Sequence, residues 1–128
     1  MQVEDIRLSF EDFRVKFRMY TPDDDHVLHR ILFVGSPVDD VMSWDALASM
    51  LADKGYLCVV ADLPGFGWNP CGKNVAQDND TRAQTLWGIL DDVESNRGDA
   101  PSAWHLVGHG SGCAATDRVR YAGFQYPQ

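Results

Sequence analysis

The stretch Ala103-Trp104-His105-Leu106-Val107-Gly108-His109-Gly110-Ser111-Gly112 decides the fold. A short, largely apolar run drives straight into a turn with glycine at every second position, and beyond Ser111 apolar residues recur at helical spacing. Such a run fits a strand covered on both faces, and the glycines allow the sharp change of direction between a strand and a helix. Two similar runs lie upstream. Ile31-Leu32-Phe33-Val34 ends in Gly35-Ser36-Pro37-Val38, and Tyr56 to Val60 leads into Asp62-Leu63-Pro64-Gly65-Phe66-Gly67. Between them, Trp44, Leu47, Ala48 and Leu51 repeat at helical spacing, with Ser43 as the cap, Lys54 in the last turn and Gly55 as the stop. After a surface loop over 69–78, Ala83, Leu86, Trp87, Leu90 and Val93 repeat in the same way, opened by Asn79 or Asp80 and closed at Asn96-Arg97-Gly98. The spacing predicts parallel strands near 31–34, 56–60 and 103–107, and helices near 43–54, 80–95 and 111–124, the last burying Ala115, Val119 and Ala122. Apolar strands alternating with amphipathic helices imply an α/β fold with right-handed crossovers and any site at the strands' carboxyl ends.

Upstream of this part the period changes to two. Ile6-Arg7-Leu8-Ser9-Phe10 alternates apolar and polar, and after Glu11-Asp12 so does Phe13-Arg14-Val15-Lys16-Phe17-Arg18-Met19. This predicts an N-terminal β-hairpin within residues 1–20, with Phe13, Val15, Phe17 and Met19 on one face. Arg14, Lys16 and Arg18 then form the solvated stripe of an edge strand.

The 128 residues, 45% of them hydrophobic, suit one domain spanning 1–128, made of the hairpin and a parallel α/β part over 30–128. Nineteen acidic against 11 basic side chains give a net charge of −8, which repels phosphate backbones and anionic membrane surfaces. Nucleic acid and membrane are therefore not expected as partners. No stretch approaches the roughly 18 consecutive apolar residues of a membrane span, and Met1 to Phe10 lacks the basic-then-apolar pattern of a secretory signal. Three cysteines, Cys58, Cys71 and Cys113, have no metal-ligand spacing and cannot all pair, so a reducing compartment, the cytoplasm, is expected.

Taken together, the three loops resemble those of the α/β-hydrolase superfamily. Its first parallel strand ends in a His-Gly-x-Pro-like turn, read here as Val34-Gly35-Ser36-Pro37, and its next in Asp-x-x-Gly-x-Gly, read here as Asp62 to Gly67. Its third runs into a Gly-x-Ser-x-Gly nucleophile elbow, read here as Gly108-His109-Gly110-Ser111-Gly112. The resemblance covers nearly the whole chain and implies the first half of an α/β-hydrolase fold. Gly110 stands where the family places its serine, cysteine or aspartate.

The elbow lifts its apical side chain over the sheet, with small neighbours permitting the strained turn. Gly108 and Gly112 fit those neighbour positions, whereas Gly110 offers no nucleophilic atom. Ser111 carries a hydroxyl at a helix start, but one residue of register rotates it off the apex, and helix capping accounts for it. The resemblance assigns the oxyanion hole to the backbone N–H groups of Ser111 and Ser36. Val34 replaces the usual histidine and removes a side chain that anchors the loop. The acid and histidine of a triad follow the nucleophile in the family's order, so they are expected beyond Gln128. His26, His29, His105 and His109 fall at none of the family's catalytic positions.

The implied parent class is hydrolysis of ester, epoxide, amide or carbon–carbon bonds, with this chain inactive, either as a fragment of a longer hydrolase or as a chain that has lost catalysis. A second reading is a small α/β module that binds an anion or nucleotide at the Gly108–Gly112 turn, although Cys113 stands where the dinucleotide fingerprint wants its third glycine. A third is a structural or partner-binding protein. The expected partners are a small molecule at the strands' carboxyl ends, and a second copy or a missing carboxyl-terminal half along the Ala103–Val107 edge and last helix. No cofactor and no metal are expected. Cys113 reads as a small buried side chain, Trp44, Trp87 and Trp104 as core, Trp68 as packing near a pocket mouth, and the pairs Asp39-Asp40 and Asp91-Asp92 as solvated.

Overall fold

The computed structural model describes residues 1–9, 14–23, 27–35, 41–62, 79–98 and 103–109. They form strands β1 (Gln2–Ser9), β2 (Arg14–Thr21), β3 (His29–Val34), β4 (Tyr56–Ala61) and β5 (His105–Gly108), with helix α1 (Val41–Asp53) before β4 and helix α2 (Asn79–Arg97) before β5. The mixed five-stranded sheet has the order β1-β2-β4-β3-β5. β1 and β2 form the antiparallel hairpin, β2 joins β4 antiparallel, and β3, β4 and β5 run parallel.

Side-chain alternation divides β4 between two cores. Leu57, Val59 and Ala61 point to one face, where Val15, Phe17 and Met19 of β2 meet Ala83, Leu86, Ile89, Leu90 and Val93 of α2. Cys58 and Val60 point to the other, where Tyr20 and Phe33 meet Ala48 and Ala52 of α1. Burial on both faces is why these strands read as continuous apolar runs. Each fully buried Leu or Ile of α2 contributes about 1.5–3 kcal/mol, which holds the helix on the sheet. Two glycines with positive φ close the helices: Gly55 at 98° and Gly98 at 72°. There the Gly55 N–H donates to the Ala52 carbonyl at 3.0 Å, and the Gly98 N–H to that of Ser95 at 3.2 Å.

Several expectations change. The strand carrying Arg14, Lys16 and Arg18 is interior, because β2 pairs with β4 as well as β1. Arg18 is only 16% exposed, with its Nε 2.7 Å from Asp5 Oδ1 and its Nη1 3.8 Å from Asp45 Oδ1 on α1. Pairing with carboxylates, rather than exposure, is what accommodates this charge on an interior strand. α1 begins at Val41, two residues before the expected cap, so Ser43 lies inside its first turn. That phase exposes Leu47 and Met50 and buries Ala52. On α2, Ile89 is buried while Trp87 packs half-buried at the margin. The third parallel strand starts at His105, leaving Ala103 exposed before it and Trp104 held by an Nε1–H bond of 2.7 Å to Glu94 Oε1. Phe13 and the helix expected over 111–124 lie outside the described residues. Among the described residues, no helix is long and apolar enough to cross a membrane.

Candidate functional site at the carboxyl ends of the sheet

Strand register brings three chain exits to one end of the sheet. Val34 pairs with Ala61 on β4 and with Gly108 on β5, so the carboxyl ends of β3, β4 and β5 lie side by side. One further bond lies one residue past β5, the His109 N–H donating to the Val34 carbonyl at 2.9 Å. Gly35, immediately before Ser36, is buried beside it.

Side chains close this end from the α1 face. The Trp44 ring lies 5.2 Å from that of Phe33, centre to centre, and meets His109 edge-on at 6.4 Å and 80°. His109 itself is exposed. Trp44 Nε1 is buried with no hydrogen-bond partner among the described residues. Asp62, first residue of the second loop, is only 3% exposed and takes part in a polar interaction. A carboxylate buried at a strand terminus requires such satisfaction.

The remaining polar groups serve the scaffold. The Tyr20 hydroxyl donates to Asp45 Oδ1 at 2.5 Å and ties β2 to α1, and burial followed by this bond pushes its pKa up to about 12. Arg18, through its hydrogen bond, holds the Asp5 carboxyl below its ordinary value, and that bond raises the guanidinium in turn. Burial alone pushes the Cys58 thiol up to about 12, which makes it an inert core side chain. Among the described residues no group of three or more His, Cys, Asp or Glu side chains converges as a metal site.

In sequence Ser36 follows Gly35, and Gly110 and Ser111 follow His109; Gly35 and His109 come directly after the adjacent parallel strands β3 and β5. Ser36, Gly110 and Ser111 themselves lie outside the described residues, as do Gly112, Cys113, Trp68 and Asp39-Asp40. Asp91 and Asp92 sit on α2, exposed and half-buried. The sequence reading treated Trp44 as core only and missed its contact with His109, 65 positions further along the chain. Its spacing within α1 signals burial but carries no sign of the partner.

No family model matches the chain, and no curated protein matches it in sequence. Solved structures do match. An epoxide hydrolase from Vigna radiata superposes with a TM-score of 0.76 at 15% identity, over 94% of this chain and 36% of that one. A haloalkane dehalogenase loop variant from Bradyrhizobium elkanii gives 0.70 at 18%, over 99% and 37%. The thioesterase domain from the curacin biosynthetic pathway gives 0.69 at 20%, over 88% and 38%. Likeness at this identity establishes the fold, which is the first part of an α/β-hydrolase fold. The chain spans less than two fifths of the length of these structures.

Proposed function

We propose that this protein is a catalytically silent α/β-hydrolase-type chain that holds a small acyl or carboxylate ligand at the carboxyl ends of β3 and β5. Its parent chemistry is hydrolysis of ester, epoxide, amide or carbon–carbon bonds. The observation that supports the reading is the 2.9 Å bond from the His109 N–H to the Val34 carbonyl, which ties His109 to the end of the adjacent strand β3. In that arrangement the backbone N–H groups of Ser36 and Ser111 serve as a pair of oxyanion donors, a role that survives the loss of a side-chain nucleophile. Gly110 at the apex binds without attacking. Titrating butyrate, a carboxylate of the kind an ester hydrolase releases, into isotopically labelled protein tests this by amide chemical shifts. Perturbations centred on residues 35–36 and 109–111 support the reading, and perturbations absent there refute it.

One observation favours partner binding as a second reading. Among the described residues β5 is hydrogen-bonded as a strand only to β3, and Val107 on it is 36% exposed. A strand with a free edge and apolar side chains is a template for pairing with another chain.

A further inference from the structure

At the opposite end of the same strands, two histidines far apart in sequence meet. His29 opens β3 and His105 opens β5. His105 pairs in register with Ile31, so His29, two residues earlier on β3, is its diagonal neighbour on the same face. The two rings stand 5.1 Å apart, centre to centre, and nearly perpendicular at 76°. The nitrogens that face each other, His105 Nε2 and His29 Nδ1, are 3.4 Å apart. Tyr56, paired with His29 on β4, packs its ring 5.6 Å from the His29 ring and braces it.

A separation of 3.4 Å exceeds the range of a well-formed hydrogen bond. It does match the span of two imidazole nitrogens on one tetrahedral ion. With bonds of about 2.0–2.1 Å and a tetrahedral angle, the ligand nitrogens lie about 3.3–3.4 Å apart. Both residues are exposed, so water can complete the coordination shell. Imidazole nitrogen is a ligand for borderline transition-metal ions and a poor one for calcium or magnesium.

We propose that His29 Nδ1 and His105 Nε2 form a two-imidazole chelate for a transition-metal dication such as Zn²⁺. The ion pins the start of β5, a strand of only four residues, to the start of β3. This site is independent of the ligand proposed at the carboxyl ends.

Isothermal titration of ZnCl₂ into the intact protein, paired with thermal unfolding with and without EDTA, tests the proposal. The expected result is one ion per chain with micromolar affinity and a rise in melting midpoint that EDTA reverses. His29→Gln and His105→Gln, both at exposed positions, should each weaken binding more than about tenfold and abolish the rise, while circular dichroism stays unchanged. His109→Gln, at the other end of the sheet, should bind as the parent does. Binding that persists in both of the first two variants, binding lost in His109→Gln, one ion shared by two chains, or no heat at all would each overturn the assignment.

Discussion

Replacing Tyr20 by Phe removes one hydroxyl from a residue with no exposed surface and leaves its ring in the core. The bonds lost are the 2.5 Å contact to Asp45, which joins the interior strand β2 to α1, and the hydroxyl's bond with Arg18. A hydrogen bond to a charged acceptor contributes about 1.5–3 kcal/mol, and the 41% exposure of the Asp45 side chain reduces this to about 1–2 kcal/mol. Thermal unfolding near neutral pH should therefore show a midpoint lower by roughly 3–8 °C. The same hydroxyl governs alkaline stability. Its pKa is raised from 10.0 to about 12 in the folded state, so the folded protein holds this proton more tightly than the unfolded chain does. That stabilisation is fully present below the unfolded value near 10 and is lost as pH rises towards about 12, a fall on the order of 3 kcal/mol. Because Phe does not titrate, the stability difference between the two proteins should shrink and then reverse across this window. Urea unfolding at a series of pH values measures it directly. A Phe variant as stable as the parent, with the same alkaline loss, would refute the role given to this bond.

Other consequences follow from the same packing. Asp5 has a lowered pKa, so its contribution is present above the ordinary value of 3.8 and disappears as pH falls through the lowered one; Asp5→Asn should make acid unfolding shallower in that range. Leu86→Ala opens the core between α2 and the sheet and should cost about 2–5 kcal/mol in denaturant unfolding. Gly55→Ala forces a side chain onto a residue at φ 98° and sets a Cβ 3.3 Å from Leu28, so it should destabilise by about 1–2 kcal/mol, whereas Gly98→Ala meets no neighbouring atom and should cost less. On the partner-binding reading, light scattering across a dilution series should show association; a folded monomer of 14.3 kDa at every concentration would count against it.

The parallel strands were legible because β3 and β4 are covered on both faces, and burial of that kind leaves an unbroken apolar run in the sequence. β2 was harder to read. Alternating Arg14, Lys16 and Arg18 looks the same on an edge strand as on an interior one whose Arg18 is met by Asp5 and Asp45, and those carboxylates lie on other elements. Helical spacing located α1 but not its phase, since Leu47 fits the repeat as well as Ala52 does, and only docking on the sheet exposes the first and buries the second. At the candidate site, the turn residues announced themselves through glycine and proline. The meeting of Trp44 with His109, and of His29 with His105, depends on strand order and register, which no local pattern encodes.

The reading of this protein as silent turns on Gly110 occupying the apex of the turn after β5. The most direct test is hydrolysis of an activated aryl ester by the purified protein and by Ser111→Ala. With no nucleophilic atom at the apex, both proteins should release product at the rate of buffer alone. Saturable turnover by the parent that disappears in Ser111→Ala would place Ser111 at the apex and contradict the account.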